Sequence, residues 1–159
     1  MFRPMRRLNQ QLSAQECAEI LANGKDGVLA VHGDGGYPYT VPLNYIYSDG
    51  CIYFHCAKSG HKLDGIKNDP RVSFCVVSEN EILQSEFTTL YKSVIVFGKA
   101  EIITDEREMH TAVKAIAEKY CPDFTHGIQS EIQQYRDKLC IVRINAQSIT
   151  GKQCKEFLK

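Results

Sequence analysis

The sequence predicts a mostly β protein, a six-stranded antiparallel β-barrel with covering helices. Three observations lead to this fold class. Six segments are rich in β-branched and aromatic residues, short turns connect consecutive strands, and three further segments carry apolar residues at helical spacing. At 159 residues the chain is long enough to bury a substantial core, and we expect one domain over residues 1–159.

The composition is that of an ordinary globular protein, without an electrostatic bias toward one kind of partner. Hydrophobic residues make up 43%, charged residues make up 24%, and the formal net charge is zero. This balance gives no reason to expect nucleic acid or a membrane surface as partner. No apolar run reaches the roughly 18 residues of a membrane-spanning helix. The basic start, Met1–Arg7, is followed by polar residues and is not expected to be a signal peptide.

The cysteines predict a reducing environment. There are seven, an odd number, at positions 17, 51, 56, 75, 121, 140 and 154, and no two are spaced as CxxC. Most of them lie inside apolar periodic segments, where a thiol acts as a small core residue. This distribution argues against a disulfide framework and against a zinc site. We therefore expect a cytoplasmic protein with no bound metal.

The first element is predicted to be an amphipathic helix. Ser13 and Glu16 have the spacing of a capping box, and Leu12 and Cys17 are placed to form a hydrophobic staple. Apolar residues then recur at helical spacing until Gly24 ends the segment. This helix is expected to cover one end of the barrel.

The next two segments have the period of strands. Val28–His32 is followed by a turn at Gly33–Gly36, and Tyr37–Tyr47 returns as the second strand. Pro42 indicates either a bend that closes the barrel or an unpaired strand edge, because proline cannot donate to a central ladder. An unpaired edge beside Asn44 could offer backbone N–H and C=O groups to a ligand, and the two interpretations are compatible.

A cluster of cations follows the third strand. Cys51–His55 leads through a small polar bend into a short helix that Asn68–Pro70 stops. Lys58, His61 and Lys62 crowd the start of this helix, where cations cost up to about 1 kcal/mol unless an anion lies among them. Free N–H groups together with these cations suit a phosphate. The alternative is a solvated turn that happens to carry lysine and histidine.

The central part of the chain predicts two more strands. Arg71–Val77 is almost continuously apolar, as expected for a core strand, and Tyr91–Ile103 is the longest strand. Gly98 is predicted to mark a bulge or a kink in it. The segment Ser78–Thr89 is polar and without a pattern, which favours an excursion or a lid-like loop.

The last third predicts a helix and a final strand. Asp105 with Glu108 caps a helix that has a clear apolar face and ends before Cys121 and Pro122. Residues 123–136 are predicted to be a polar loop or a short helix, and Lys138–Ile144 is the sixth strand. The tail 151–157 is predicted to lie on the surface or to face a partner.

At this point the chain resembles a known family, the FMN-binding split-barrel proteins related to pyridoxamine 5′-phosphate oxidase. The resemblance runs in order from about Arg3 to Ile149. The matching segments are Tyr37–Tyr45, Tyr53–Ala57 with Gly60–Lys62, Asn68–Ser73, and Tyr91–Glu101. Within the group, Met5-Arg6-Arg7 and His55-Cys56-Ala57 are most similar to the nitroimidazole-resistance branch.

The resemblance implies a homodimer with FMN in a groove between the subunits. It places the flavin ring or ribityl chain near Val41, Pro42, Leu43, Asn44, His55 and Cys56. It places the phosphate near His61 and Lys62, where Lys58 adds charge, with a further contact from Ser93 and Lys92. One departure is His61-Lys62 where the oxidase commonly has an Arg-Lys pair, which removes a bidentate guanidinium. The oxidase's C-terminal substrate-phosphate motif is also missing, so pyridoxamine phosphate is a poor choice of substrate.

The expected activity is that of an FMN-dependent oxidoreductase that reduces small aromatic or nitro acceptors. In such proteins the flavin supplies the redox chemistry and the protein binds and orients it. His55 is the candidate for proton supply, and the alternative is a structural histidine. Cys56 is either a thiol beside the flavin or a buried spectator. The competing hypothesis is a non-catalytic flavin- or haem-binding store or sensor, in which a histidine such as His55 could ligate haem.

Overall fold

The computed structural model of the protein describes residues 2–127, 130, 133 and 138–158. Its helices are α1 (Ala14–Asn23), α2 (His61–Asn68) and α3 (Glu106–Tyr120). Its strands are β1 (Asp26–His32), β2 (Pro38–Asn44), β3 (Ile46–Ser48), β4 (Cys51–Ala57), β5 (Arg71–Leu83), β6 (Thr88–Ile102) and β7 (Leu139–Gln153). Short 3₁₀ turns lie at Leu8–Gln10, Asp34–Gly36, Gln84–Glu86, Pro122–Gly127 and Lys155–Phe157.

The strands form one antiparallel sheet in the order β2-β1-β5-β6-β7-β4-β3. The mostly β class with covering helices is confirmed. The number of strands is seven and not six, because the predicted second strand divides at Tyr45 into β2 and β3. Of the two interpretations of Pro42, the unpaired strand edge is confirmed, because Pro42 lies inside β2 at one edge of the sheet, and the chain changes its pairing partner three residues later at Tyr45.

The order of the strands makes the sheet a split barrel. Its two edge strands, β2 and β3, are consecutive in sequence and only Tyr45 separates them. The sheet must therefore curl until its two ends meet at that residue. Since β3 pairs only with Cys51–Tyr53, the rest of β4 faces β2 across a gap in which no strand of the described chain lies. We call this gap, between Pro38–Asn44 and Phe54–Ala57, the seam.

Tyr45 is held in place from both sides at the point of closure. It is fully buried, and its hydroxyl donates to the Leu21 carbonyl at 2.7 Å. The N–H of Tyr45 donates to the Tyr120 hydroxyl at 3.0 Å, and Lys119 Nζ donates to the carbonyls of Gly24 and Tyr45 at 2.7 and 3.1 Å. Burial raises the pKa of the Tyr45 phenol. The ends of α1 and α3 thus fasten the hinge between β2 and β3.

Two of the helices close the ends of the barrel. The side chains of Cys17 and Leu21 in α1 are buried at the end where Gly151 lies, and a Cβ on that glycine would come within 2.4 Å of the Cys17 sulfur. At the other end α2 buries Leu63, and Gly65 lies so close to β1 that a Cβ would be 2.6 Å from the His32 carbonyl oxygen. The helix α3 lies outside the barrel over the buried Ile141.

The caps predicted for the helices are confirmed. The Ser13 side chain accepts the Glu16 N–H at 3.2 Å, and Glu16 Oε2 accepts the Ser13 N–H at 2.7 Å. Asp105 caps α3 by accepting the Glu108 N–H at 2.8 Å. The bulge predicted at Gly98 is also confirmed, since the β6–β7 register shifts between Phe97 and Gly98. None of the helices in the described part of the chain is long and apolar enough to cross a membrane.

Two segments are more regular than predicted. Instead of a loop at 78–89, β5 runs to Leu83 and β6 begins at Thr88, after a bulge between Val77 and Glu79. The paired segments Glu79–Leu83 and Thr88–Lys92 form a hairpin beyond the barrel, which we call the arm. Because most of its residues are exposed, the arm carries no apolar alternation that a sequence pattern could reveal.

The final strand is also longer than predicted. It continues past Ile144 to Gln153, which pairs with Lys92, so the first three residues of the predicted tail 151–157 belong to the sheet. The glycine at 151 allows this strand to pass close under α1. Of the predicted loop at 123–136, residues 122–127 form a 3₁₀ turn and most of the remainder lies outside the described residues.

Candidate functional site

The β2 side of the seam offers unpaired backbone groups. The N–H of Gly33 donates to the Tyr37 carbonyl at 2.8 Å, so odd-numbered residues of β2 direct their backbone groups toward β1. The even-numbered residues therefore direct theirs into the seam. Pro38 and Pro42 occupy such positions and need no ladder donor there. The N–H of Thr40 and the carbonyls of Pro38, Thr40 and Pro42 are left available to a ligand.

The four residues of β2 that the resemblance places near the flavin alternate between the two faces of the strand. Val41 and Leu43 are partly buried and pack against the core, whereas Pro42 and Asn44 are exposed on the outer side. The Asn44 side chain donates to the Lys25 carbonyl at 3.1 Å. Of the four residues predicted from the resemblance, Pro42 and Asn44 therefore direct their backbone groups into the seam, whereas Val41 and Leu43 direct theirs toward β1.

On the β4 side of the seam, the side chains of His55 and Cys56 point to opposite faces of the strand. His55 is on the outward face of the strand, and the surrounding protein partly desolvates its ring, which lowers its pKa. Cys56 is buried and points inward, and it pairs with Cys140 of β7. Burial raises the pKa of the Cys56 thiol to about 11. The side chain of Cys56 thus belongs to the core, while that of His55 is accessible.

Two lysines flank the start of α2. Lys58 lies in the bend before the helix, Lys62 is its second residue, and Lys67 follows in its last turn. None of the three forms an ion pair with another described residue. Cations without a partner at a helix start are unfavourable unless an anion lies beside them, so Lys58 and Lys62 favour an anion there.

The backbone at the start of α2 adds to this preference. Gly60 precedes the helix with φ 131° and ψ 165°, and no side chain caps the first turn. Orphan N–H groups at a helix start bind phosphate and carboxylate well. A Cβ on Gly60 would meet no atom within 4 Å, so the helix start is open. The cations and the free donors together favour the binding of an anion at this end of the seam.

His61 lies across the seam rather than among the lysines. Its ring stacks on that of Tyr39 in β2, with centroids 4.1 Å apart and planes inclined by 29°. Nε2 accepts the Asp34 N–H at 3.4 Å and lies 3.7 Å from the Asp34 carboxylate. Any role of His61 at a phosphate has to compete with these two partners.

Lys92 and Ser93 lie far from the seam and from Lys58 and Lys62 in the same chain. Asn44 pairs with Asp26 of β1 and Ser93 pairs with Val77 of β5, and the β1–β5 ladder ends two residues earlier at Val28–Cys75, so both β1 and β5 lie between Asn44 and Ser93. Ser93 is then three strand spacings from Asn44, about 14 Å along the sheet. The ammonium of Lys92 is paired with Glu79 at 3.0 Å. One subunit alone does not bring these residues to the seam.

Three residues of this region were not predicted: Tyr39, Asp34 and Lys67. Tyr39 sits inside a segment recognised as a strand, but nothing local shows that its ring meets a histidine 22 residues later. Lys67 stands in the last turn of α2, five residues after Lys62. Within the described residues, no group of three or more His, Cys, Asp or Glu side chains is arranged to hold a metal ion.

The sequence and the fold were compared with known proteins. The family model described as pyridoxamine 5′-phosphate oxidase matches residues 13–153. A search of curated proteins finds no match. An FAD-binding protein from Mesorhizobium loti is 27% identical with a TM-score of 0.69, and the match covers 92% of this chain and 98% of that chain.

Two other solved structures are similar in fold. A conserved hypothetical protein from Mycobacterium tuberculosis is 25% identical with a TM-score of 0.80, over 94% of this chain and 90% of that chain. A candidate 5-nitroimidazole antibiotic resistance protein from Bacteroides thetaiotaomicron is 19% identical with a TM-score of 0.75, over 90% and 86% of the two chains. At 19% identity, this last similarity concerns the fold alone.

Proposed function

The chain belongs to the pyridoxamine 5′-phosphate oxidase family, and from this membership we propose that it binds FMN at the seam and reduces small nitroaromatic acceptors. The family match confirms the resemblance that the sequence motifs indicated. The observation that carries the proposal is the uncapped start of α2 at one end of an open strand edge, with Lys58 and Lys62, neither in an ion pair with a described residue, on either side of Gly60.

The anion site suits the phosphate of FMN. A phosphate monoester carries about −1.5 to −2 charges at pH 7, and the ammonium groups of Lys58 and Lys62 can neutralise it. Removal of that phosphate leaves riboflavin, which has no group to occupy the site. A preference for FMN over riboflavin is therefore the direct consequence of the lysine cluster.

The rest of the seam suits the ring. The edge of a flavin ring alternates hydrogen-bond donors and acceptors. The N–H and C=O groups that the even-numbered residues of β2, such as Thr40, direct into the seam can bond to them. Ala57, Ser59 and Gly60 are small and exposed, so they leave room for a second flat aromatic molecule. These features support a flavin that stays open to an acceptor.

The chain contributes binding and proton supply to the reaction. When bound, a flavin accepts two electrons from a donor and passes them to an acceptor. His55 lies on the accessible side of β4 and can hold a proton for the reduced nitro oxygens. The lowered pKa of His55 means that this proton is present mainly on the acidic side of neutrality.

The proposal includes a homodimer with the flavin at the interface. The outward side of β2, β1, β5 and β6 is the open face, and it exposes Val28, Val77, Ile95 and Phe97. If two open faces meet about a twofold axis parallel to the strands, β6 of one copy lies over β2 of the other. Ser93 of the partner subunit then comes to the level of Asn44, which supports a shared site.

The competing hypothesis is a flavin- or haem-binding protein without turnover. Nothing in the site requires an acceptor, and the exposed His55 could also serve as a ligand. The seven cysteines are all free thiols, which supports the cytoplasm as the compartment.

Absorption spectra and titrations test the proposal. The purified protein should show a flavin spectrum and bind FMN more tightly than riboflavin, with FAD titrated in parallel. Light scattering should give a dimer of 18.0 kDa chains. In stopped-flow experiments, the chemically reduced protein should be reoxidised by a 5-nitroimidazole in the absence of oxygen. A haem spectrum would refute the flavin assignment, and tight FMN binding without reoxidation would favour the non-catalytic hypothesis.

A further inference from the structure

The turn between β1 and β2 carries a carboxylate to the start of α2. Asp34 opens this turn, and its N–H donates to Nε2 of His61 at 3.4 Å. The Asp34 carboxylate lies 3.7 Å from the same nitrogen. His61 is the first residue of α2, directly after the uncapped start at Gly60. A negative charge of the chain itself therefore stands beside the place that the proposed function gives to a phosphate.

Glycines allow the turn to come this close to the histidine. A Cβ on Gly33 would lie 2.8 Å from the Tyr37 carbonyl oxygen and 3.2 Å from Nε2 of His61. Gly35 and Gly36 have φ angles of 62° and 81°, a conformation that residues with a side chain rarely adopt. The backbone of the turn can therefore approach the imidazole, and Asp34 is its charged residue at the point of contact.

The imidazole of His61 has one nitrogen that both partners use. In the neutral ring Nε2 accepts the Asp34 N–H, and in the protonated ring it becomes a donor. The Asp34 carboxylate is then the acceptor within reach, and it forms no ion pair with any described residue other than His61. A phosphate at the start of α2 would need the same positive charge. Carboxylate and phosphate therefore compete for one cation.

The lysines at this site have no such competitor. Neither Lys58 nor Lys62 forms an ion pair with a described residue, so their charge is available to a ligand. Of the three cations predicted around the start of α2, only His61 is held by a carboxylate of the described chain. The effect of Asp34 on the anion site therefore depends on His61.

We propose that Asp34 is a specificity-determining residue of the anion site, because its carboxylate competes with the flavin phosphate for His61. The inference rests on the FMN site of the proposed function, and it adds a residue that weakens the preference of this site for phosphate. Riboflavin has no phosphate, so its binding is independent of this competition.

Exposure to solvent limits the size of the effect. The side chains of His61 and Asp34 are 37% and 96% exposed, and an ion pair at such a surface position contributes little. Loss of the competing carboxylate should therefore tighten FMN binding by about twofold to fivefold. Because salt screens exposed charges, this gain should nearly vanish at an ionic strength of about 1 M.

The test variant is Asp34→Asn, which removes the charge and keeps both the backbone donor and the size of the side chain. Asp49→Asn is the matched control. Asp49 is an exposed acid in the turn between β3 and β4, at the end of β4 that is far from α2, and its φ of 50° suits asparagine. Fluorescence titrations in phosphate-free buffer measure FMN and riboflavin binding, and thermal unfolding verifies that each variant folds.

The Asp34→Asn protein should bind FMN about twofold to fivefold more tightly than the wild type at low salt, with riboflavin binding unchanged. The Asp49→Asn protein should match the wild type with both ligands. A second background, His61→Phe, keeps an aromatic ring at the position next to Tyr39 but removes the charge. In that background Asp34→Asn should give no gain, because the cation for which the two anions compete is absent.

Unchanged FMN binding in Asp34→Asn would overturn the inference. Weaker binding would overturn it too, since the carboxylate would then orient His61 for the phosphate. A gain that riboflavin shares, or one that persists in His61→Phe, would also overturn it. The proposed function is judged by the wild type: equal affinity for FMN and riboflavin would refute the phosphate site itself, whereas a preference for FMN that Asp34→Asn leaves unchanged would refute only the role of Asp34.

Discussion

The imidazole of His61 lies on the ring of Tyr39, with their centroids 4.1 Å apart. This contact joins the start of α2 to β2 and spans the seam at its open end. The same contact engages His61, which the family resemblance places near the phosphate. At the proposed anion site we therefore expect the lysines to supply the charge, while the contact of His61 with Tyr39 joins α2 to β2.

The first prediction concerns this contact. Tyr39→Leu keeps an apolar side chain against the core but loses the stacked ring, so the free energy of unfolding should fall by about 0.5–1.5 kcal/mol. Tyr37→Leu is the control, because Tyr37 is 78% exposed. Urea unfolding of both variants measures the difference, and equal stabilities would show that the stack contributes nothing.

The second prediction concerns the phosphate. Lys62→Ala should weaken FMN binding by about 1.5–3 kcal/mol, because the lost bond is charge-assisted, and it should leave riboflavin binding nearly unchanged. His61→Ala should affect FMN less than Lys62→Ala does, because its ring is engaged with Tyr39. Lys114→Ala serves as control on the exposed side of α3. Fluorescence titration decides the matter, and equal weakening of FMN and riboflavin would contradict the assignment.

The third prediction concerns proton supply by His55. Desolvation lowers its pKa, so the protonated fraction is small at pH 7 and grows only as the pH falls below the ordinary value of 6.5. Reoxidation of the reduced flavin by a 5-nitroimidazole should accelerate over that range. His55→Ala should be slower and insensitive to pH, with FMN affinity nearly intact. Stopped-flow traces that match in wild type and variant would remove His55 from the mechanism.

The same shift has a consequence for stability. A lowered pKa in the folded state means that the unfolded chain binds more protons near and below pH 6.5, so the free energy of unfolding should fall as the pH drops through that region. In His55→Ala this part of the pH dependence should be missing. Thermal unfolding between pH 5 and 8 compares the two proteins.

The fourth prediction concerns the hinge. Tyr120→Phe removes the hydroxyl that accepts the Tyr45 N–H and lies 2.8 Å from the Tyr45 carbonyl oxygen. A buried donor without a partner costs about 1–3 kcal/mol, and the variant should be destabilised by that amount. Tyr37→Phe should be neutral. Hydrogen exchange of the Tyr45 amide provides a local measurement, and unchanged protection would refute this role of Tyr120.

The fifth prediction concerns the position of α2. Gly65→Ala improves helix propensity by about 1 kcal/mol but places a methyl group against the backbone of β1, where it cannot be accommodated without moving the helix. The clash should dominate, lowering the melting temperature and reducing the preference for FMN over riboflavin. Asp64→Ala, at the adjacent exposed position, should leave both unchanged. A more stable Gly65→Ala protein would show that α2 can shift freely.

Much of the architecture follows from local signals. Ser13 and Asp105 cap their helices through bonds to residues three positions later, and Gly98 marks its bulge because a side chain would meet the opposing carbonyl. The alternation of buried and exposed residues along β1 and β4 likewise follows from residues that are neighbours in the sequence. The mostly β class, the helices and the family were therefore accessible from the sequence, because each depends on short-range spacing or on motifs.

Other features depend on contacts between distant residues, and only the tertiary structure decided them. Tyr45 is fixed between β2 and β3 because it is hydrogen-bonded to Leu21 of α1 and Tyr120 of α3. The sequence around residue 45 contains no pattern that predicts these hydrogen bonds. The arm and the end of β7 are strands because they pair with each other and with β6, although their polar sequences lack an apolar alternation. Pairing energy comes from the partner strand, and local composition does not reveal it.

The candidate site shows the same division. The sequence by itself determined that cations and a free helix start occur together after β4, since Lys58, His61 and Lys62 are neighbours in the chain. The tertiary structure decided that His61 stacks on Tyr39 and that Ser93 lies about three strand spacings from Asn44. The physical reason is that spacing along a chain governs local geometry, whereas the closure of a barrel places side chains by contacts that no local segment contains.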